Sequence, residues 1–115
     1  MRVLVCGGRN YRDADRFGVV MNKLHDSMGI SLIIQGGANG ADDLAHGWAC
    51  LNGVPDLEFQ ADWENQGAFA GPARNKRMLE EGKPDLVIAF PGGRGTADMV
   101  RKARRAGVEV VEIAP

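Results

Sequence analysis

Five short apolar segments alternate along the chain with four longer segments whose apolar residues recur at helical spacing. The predicted strands are 2–6, 30–35, 56–61, 85–90 and 108–113. The predicted helices are 13–28, 41–52, 72–81 and 97–106. Strands that alternate with helices are typical of a parallel sheet, because each new strand needs a crossover that returns the chain to the same edge. The sequence therefore predicts a single doubly wound α/β domain over 1–115, with a five-stranded parallel sheet.

The apolar residues of the helical segments predict which side chains are buried. They are Phe17, Val20, Leu24 and Met28 in the first helix, Leu44, Trp48 and Leu51 in the second, and Met99, Val100, Ala103 and Ala106 in the fourth. Asp13 is the expected N-cap of the first helix, and Pro72 is the expected first residue of the third, after a long loop at 61–71. Two cysteines are too few for a disulfide framework, so we expect Cys6 and Cys50 to be small buried residues.

Glycine makes up 16 of the 115 residues, about twice its usual share of ~7%. Half of these glycines directly follow three of the predicted strands, in loops at 7–11, 36–42 and 91–96. Ligands of open α/β sheets bind beyond the carboxyl ends of the strands, so three loops that serve one ligand should follow neighbouring strands. The strand order 3-2-1-4-5 makes these strands neighbours, whereas the order 2-1-3-4-5 inserts strand 3 among them. We predict the first order, which also places strand 3, with its alternating apolar and polar residues, at an edge.

The composition of the three glycine loops is that of an anion site. Glycine lets backbone N–H groups approach an anion closely, and the N-terminus of the helix that follows adds about half a positive charge. The predicted phosphate-binding glycines are Gly7, Gly8, Gly36, Gly37, Gly40, Gly92, Gly93 and Gly95. Thr96 is expected either to cap the last helix or to donate a hydrogen bond to the phosphate. Neither a Walker loop nor a G-x-G-x-x-G run is present, so the loops predict a phosphate-bearing ligand without naming its class.

Arginines and an aspartate near these loops are the candidate binding side chains. Arg9 and Arg94 lie within the loops, and Arg74 lies in the first turn of the predicted third helix, where a cation is disfavoured unless an anion binds nearby. The alternative is that Arg74 points to solvent or to Glu64. Asp42 opens the second helix and is expected to contact a ribose hydroxyl or to polarise a water, although stabilisation of the helix dipole alone explains an acid there.

Few other residues indicate a metal site, a catalytic nucleophile or a base-stacking site. His46 lies one turn after Asp42, but two ligands do not make a metal site, and the sequence predicts neither a metal nor a cofactor. No serine or cysteine nucleophile lies in a known motif, and no Cys–His pair is evident. Stacking on a base is one role for Trp63 and Phe69 in the long loop, but closing the core under a loop is the commoner role and the one we expect.

The charge distribution argues against nucleic acids and membranes as partners. The net charge is −1, so no global basic field attracts a polyanion. The basic residues at the end of the fourth helix, without interleaved aromatic residues, indicate a solvated face. No apolar run approaches the ~18–20 residues of a membrane span, and strand-like sequence begins at residue 2, which leaves no room for a signal peptide. We therefore expect a cytoplasmic protein without a membrane segment.

The loops together with their neighbours resemble the SLOG superfamily, named for the Smf/DprA and Lonely Guy (LOG) proteins. The residues that carry the resemblance are 7–13, 36–42, 61–63, 71–75 with Met78, and 90–96. They most resemble the YspA-type, cpYpsA-related family of that superfamily. The resemblance implies a Rossmann-like fold that binds a nucleotide or nucleotide-derived ligand (a nucleoside monophosphate, ADP-ribose or an NAD-like molecule), and it adds Asn75 and Pro91 to the expected site. By analogy, a second subunit would complete the shallow cleft of so short a chain, so a homo-oligomer is expected.

The LOG branch of this superfamily implies a second function, the release of a base from a nucleoside monophosphate. Arg74 with Met78 matches one LOG signature, and 91–96 matches most of the P-G-G-x-G-T-x-x-E signature. The glutamate of that pattern falls on Met99, so hydrolysis would need Asp98 or Asp42 as the acid, with Arg74 as the third catalytic candidate. DprA-type relatives bind single-stranded DNA, which keeps nucleic-acid binding as a third hypothesis.

Overall fold

A parallel five-stranded sheet forms the centre of the structure, a computed structural model that describes residues 1–115. The strands are β1 (Arg2–Cys6), β2 (Leu32–Gln35), β3 (Asp56–Glu58), β4 (Leu86–Ala89) and β5 (Glu109–Glu112). Their order is β3-β2-β1-β4-β5, and all four neighbouring pairs are parallel. The predicted strand order and the edge position of β3 are confirmed. Val3 in the central strand lies between Ile33 of β2 and Leu86 of β4.

Five helices connect the strands: α1 (Ala14–Met28), α2 (Ala41–Leu51), α3 (Trp63–Gln66), α4 (Ala70–Gly82) and α5 (Arg94–Arg105). Side chains of α1 and α2 pack with Val3, Ile33 and Ile88 on one face of the sheet. Those of α4 and α5 pack with Leu4 and Val87 on the opposite face. Alternate residues of the central strand therefore enter two separate cores, as a doubly wound sheet requires. None of the five helices has both the length and the apolar character that a membrane-spanning helix needs.

The predicted loop at 61–71 is wrong, because this segment is largely helical. Asp62 caps α3 by accepting a hydrogen bond from the backbone N–H of Asn65 at 3.2 Å. A short 3₁₀ turn at Gly67–Phe69 then joins α3 to α4. Pro72 is the third residue of α4 rather than its first, a place a helix tolerates because the N–H groups of the first turn have no intrahelical acceptor.

Three predicted core residues, at the ends of their helices, are exposed instead. Met28 is 58% and Leu51 88% exposed, and Ala106 lies beyond the end of α5. In α2 the buried residues are Ala41, Ala45, Trp48 and Ala49, with Asp42. Small side chains on this face let the helix approach the sheet closely, and Trp48 fills the remaining space while its indole N–H donates to Asn22 at 2.8 Å. Phe17, Trp48, Met99, Val100 and Ala103 are buried as predicted.

Candidate functional site

Three glycine loops meet at the carboxyl edge of β2, β1 and β4, and the loop after β1 contacts both of the others. The N–H of Gly8 donates to the carbonyl oxygen of Pro91 at 2.9 Å, and the carbonyl oxygen of Gly8 accepts from the N–H of Ala41 at 3.2 Å. Gly40 has a φ of 77°, and a Cβ there would overlap the carbonyl oxygen of Gly8. A Cβ on Gly92 would lie 2.7 Å from the nitrogen of Gly8. Packing between loops thus requires glycine at Gly40 and Gly92, independently of any ligand.

A cavity of about 670 Å³ opens beside these loops, between the sheet edge and helices α4 and α5. The predicted site residues that line it are Gly7, Gly8, Arg9, Asp42, Arg74, Asn75, Gly93, Arg94, Gly95, Thr96 and Asp98. A second cavity of about 220 Å³ is lined by Gly36 and Gly37 and shares Arg9 and Arg74 with the first. The remaining predicted residues, Gly40, Pro91 and Gly92, line neither. The larger volume is ordinary for a small-molecule site.

Arg74 is held in place between α4 and the loop after β2. Its Nη1 donates to the carbonyl oxygen of Gly36 at 2.7 Å, and its Nε donates to Oδ1 of Asn75 at 3.2 Å. It therefore points neither to Glu64 nor away into solvent. Because α4 begins at Ala70, Arg74 lies in the second turn of the helix and not, as predicted, in the first. Burial lowers the pKa of the guanidinium, but an arginine remains charged in proteins, so a fixed cation lines both cavities.

Asp42 is a buried carboxyl group on the wall of the larger cavity. It is 8% exposed and accepts a hydrogen bond from the N–H of Ala38 at 3.2 Å. Burial raises its pKa to about 6, although the hydrogen bond from Ala38 and the charge of Arg74 act in the opposite direction. A carboxyl group that gains and loses its proton near neutral pH is suited to acid–base chemistry.

Replacing Asp42 by asparagine is expected to remove a pH-dependent loss of stability. The folded pKa of about 6 exceeds the ordinary value of 3.8, so the folded state binds more protons between these values. The protonated carboxyl group of Asp42 contributes stability that is fully present below the ordinary pKa and is lost as the pH rises through the pKa of the folded state. Relative to Asp42→Asn, the free energy of unfolding of the wild type should fall by about 2 kcal/mol between roughly pH 4 and pH 7.5.

Urea denaturation across this pH range measures that difference. Asp43→Asn is the matched control, because it removes an exposed carboxylate from the same helical turn. If the difference in free energy of unfolding between wild type and Asp42→Asn stayed constant with pH, the raised pKa of Asp42 would be contradicted.

Asp98 connects α5 to α4. Its carboxylate accepts from Asn75 Nδ2 at 3.0 Å, from Lys102 Nζ at 2.6 Å and from Arg101 Nη2 at 2.7 Å. Asn75, which is 5% exposed, also donates to the carbonyl oxygen of Gly95 at 3.2 Å. Burial raises the pKa of Asp98, but the hydrogen bonds from Lys102 and Asn75, together with the charges of Lys102 and Arg101, outweigh it, so the pKa lies below its usual range. A carboxylate held ionised in this way favours a structural role over that of a general acid.

The N-terminus of α5 faces the larger cavity. Gly93 is the N-cap residue and provides no side-chain cap, and the first-turn N–H groups of Arg94, Gly95 and Thr96 have no intrahelical acceptor. Thr96 lies inside this first turn, so the predicted role as N-cap is wrong. Gly93 and Gly95 have open space where a Cβ would be, so this loop admits a ligand atom close to the backbone.

Trp63 and Phe69 do not close the core, contrary to our prediction. Trp63 is 50% and Phe69 78% exposed. The guanidinium carbon of Arg9 lies 5.4 Å from the centre of the Trp63 ring, within the range of a cation–π contact. Trp63 lines both cavities. Base stacking was the alternative role given to Trp63 from the sequence. The helix that carries it was predicted as a loop because Asp62 was not recognised as the N-cap that starts α3.

Sequence comparison places the chain in a family. The sequence model of the YspA, cpYpsA-related SLOG family (YAcAr) matches residues 1–66. The Gene 61 protein of Mycobacterium phage D29 is 39% identical over 119 residues, and the match covers 96% of this chain and 94% of that protein. The chain belongs to the YspA, cpYpsA-related SLOG family. The matched region contains the first two glycine loops and Asp42 of this SLOG protein, whereas Arg74 and the loop at 91–96 lie beyond it.

Two solved structures share the fold of this SLOG protein. DNA processing protein A (DprA) from Streptococcus pneumoniae superposes with a TM-score of 0.79 at 21% identity, over 99% of this chain and 50% of that chain. UDP-GlcNAc 2-epimerase from Neisseria meningitidis bound to UDP-GlcNAc gives a TM-score of 0.65 at 21% identity, over 98% of this chain and 32% of that chain. The SLOG chain thus spans half of one structure and about a third of the other. At this identity the likeness establishes the Rossmann-like fold.

Proposed function

We propose that this chain binds a phosphate-bearing, nucleotide-derived ligand in the 670 Å³ cavity. The observation that carries the proposal is the fixed cation of Arg74 on the wall of the same cavity as the uncapped N-terminus of α5. Four arginines and two aspartates line this cavity, and one of the arginines, Arg101, is paired with Asp98. The excess of positive charge favours an anion.

The phosphate is assigned to the N-terminus of α5. The free N–H groups of its first turn and the positive end of the helix dipole bind phosphate well. The hydrogen bond from Asn75 to the carbonyl oxygen of Gly95 brings the residue after Arg74 against this turn. Arg74 is thereby anchored to the structure beside the proposed phosphate position, and its guanidinium can share the charge.

The remainder of the ligand is assigned to other residues that line the same cavity. The half-exposed ring of Trp63, with Arg9 against it, offers a flat surface on which a base can stack. Asp42 lines the same cavity, where its carboxylate can accept a hydrogen bond from a ribose hydroxyl. The Neisseria epimerase is bound to UDP-GlcNAc in its structure, which supports a nucleotide-derived ligand for a chain of similar fold.

A thermal-shift and calorimetric screen tests this proposal. AMP, ADP, ADP-ribose and NAD are the probes, and adenosine is the control that keeps the base and ribose but lacks phosphate. At a concentration one hundred times its dissociation constant, a ligand stabilises the protein by about 2.7 kcal/mol. We expect at least one phosphorylated probe to raise Tm and adenosine to have a much smaller effect. The proposal fails if none of the four probes raises Tm or gives binding heat.

Hydrolysis of an N-glycosidic bond is a second candidate, and Asp42 is the observation that favours it. The carboxyl group lies in the cavity with a pKa of about 6, so it can donate a proton to a departing base near neutral pH while water attacks the ribose carbon. Met99, 1% exposed, occupies the position of the LOG glutamate and supplies no acid. Chromatography of free base released from AMP by wild type and by Asp42→Asn tests this candidate, which requires release by the wild type and its loss in the variant.

Nucleic-acid binding receives less support from the basic end of α5. Arg101 and Lys102 are paired with Asp98, and Arg104 is paired with Glu112 at 2.9 Å. Two carboxylates therefore offset two of the four positive charges of Arg101, Lys102, Arg104 and Arg105 on this face. Binding to single-stranded DNA that weakens steeply with added salt would support a nucleic-acid role instead.

A further inference from the structure

A cysteine, a histidine and an aspartate form a cluster outside both cavities. Cys50 and His46 lie one turn apart on the exposed face of α2, and Asp56 is the first residue of the edge strand β3. The sulfur of Cys50 lies 3.8 Å from Nε2 of His46. Nδ1 of the same ring contacts Oδ2 of Asp56. The sequence prediction that no Cys–His pair exists is wrong, and so is the predicted burial of Cys50; the spacing of four residues on a helix was the available signal.

Opposite nitrogens of one imidazole ring thus face the thiol and the carboxylate. When Nδ1–H donates to Asp56, Nε2 carries the lone pair and faces the sulfur, the tautomer needed to accept a proton from the thiol. Because the ring lies between the two groups, the three side chains do not converge on a common metal position. The arrangement is that of an activated nucleophile, in which a base contacts the nucleophile and a third group orients the base.

Buried Gln35 fixes the orientation of the carboxylate. Gln35 is 1% exposed, and its Oε1 accepts from the N–H of Gly37 at 2.6 Å. This bond leaves Nε2 to donate toward Asp56, at 3.3 and 3.4 Å from its two oxygens, and toward Glu58 at 3.0 Å. Asp56 therefore has a defined position against the histidine, although the histidine itself is on the surface.

Every charged group that faces His46 is acidic. The hydrogen bond from His46 to Asp56 and then the charge of Asp56 raise the pKa of the imidazole. Desolvation lowers this pKa, and the charges of Glu58 in β3 and Asp43 in α2 raise it again. A histidine that holds its proton more firmly stabilises a neighbouring thiolate. Cys6 provides the contrast within the same chain, because burial raises the pKa of its thiol to about 12.

We propose that Cys50 is a reactive thiol that undergoes exchange with low-molecular-weight disulfides, with His46 as its base and Asp56 as the positioning carboxylate. Cys50 lines neither of the two cavities and is exposed, so the partner is a small disulfide that arrives from solvent, such as oxidised glutathione. The thiol proton moves to Nε2 of His46 as the sulfur attacks one sulfur of the disulfide. The disulfide bond breaks, and the departing thiolate leaves with the electron pair and takes up a proton. The products are one mixed disulfide on Cys50 and one free thiol.

The pH dependence of modification by oxidised glutathione, followed by intact mass, tests this proposal on the folded wild type. We expect one glutathione per chain, absent in Cys50→Ser because Cys6 is buried. The midpoint of the rate against pH should lie below the value of about 8.5 of a free cysteine. His46→Gln should return the midpoint towards that of a free thiol and slow the reaction at pH 7 by roughly tenfold.

Asp56→Asn tests the positioning role, because it keeps the shape of the side chain and removes its charge. A shift of the pH midpoint towards that of a free thiol is expected, a change that loss of packing alone would not produce. The proposal is overturned if wild-type Cys50 reacts with the midpoint of a free thiol such as reduced glutathione. It is equally overturned if a lowered midpoint survives unchanged in both His46→Gln and Asp56→Asn. The pH profile of the wild type alone decides whether Cys50 differs from a free thiol, even where a variant folds poorly.

Discussion

Replacing Arg74 by glutamine is expected to weaken binding of a phosphorylated ligand by roughly ten- to a hundredfold. A hydrogen bond to a charged group contributes about 1.5–3 kcal/mol, and Arg74 is the fixed cation of the cavity. Isothermal titration with whichever of the four nucleotides binds the wild type most tightly measures the change. The affinity of the wild type and of Arg74→Gln is compared at one salt concentration, since screening alters charge interactions.

Two further variants distinguish the contribution of the planar guanidinium to affinity from that of a positive charge alone. Arg74→Lys keeps a positive charge but loses the planar group that donates to both Gly36 and Asn75, so we expect an intermediate affinity. Arg105→Gln is the matched control, because Arg105 is exposed at the end of α5 and makes no ion pair. Equal affinity in wild type and Arg74→Gln, with both proteins folded, would contradict the role given to Arg74.

Replacing Gly40 by alanine is expected to destabilise the fold by about 2–5 kcal/mol. Part of this cost comes from the left-handed backbone, with a φ of 77°. The larger part comes from overlap of the new Cβ with the carbonyl oxygen of Gly8 and with the backbone of Arg9, neither of which can rotate away. A decrease in Tm of roughly 10 °C or more follows for a domain of this size.

Gly53→Ala is the matched control for backbone strain. Gly53 has a similar φ of 65°, but a Cβ added there would meet nothing within 4 Å, so only the conformational cost of about 1 kcal/mol applies. Chemical denaturation of both variants measures the difference. If Gly40→Ala and Gly53→Ala were equally stable, close packing between the loops would not be what requires glycine at Gly40.

The fold class and the strand order could be predicted from the sequence because two independent patterns agreed. Alternating apolar and helical segments specify a parallel sheet, and the three glycine loops restricted the strand order. Burial at helix ends was harder to predict, as Leu51 shows. Helical spacing places Leu51 on the face of Trp48, but α2 ends there and its last side chain extends beyond the sheet into solvent.

Long-range contacts limited how much of the site could be predicted. The glycines, arginines and Asp42 could be placed at one edge from strand order alone. The hydrogen bond from Asn75 to Asp98 and the contact of Arg74 with Gly36 depend on how α4 crosses the sheet. The side chain of Gln35 extends from β2 to two acids on β3, and no local pattern in the sequence shows such a contact.

The position of Gly8 between two other loops has a consequence for the entropy of binding. Its backbone is bonded to Pro91 on one side and Ala41 on the other before any ligand arrives. Ordering a free residue costs about 1–2 kcal/mol, and for these loops that cost is incurred when the protein folds. The proposed ligand would then restrict mainly the exposed side chains of Arg9, Arg94 and Trp63. The backbone proposed to receive the phosphate is preorganised, so differences in affinity among ligands are expected to report on direct contacts and not on the closing of a flexible rim.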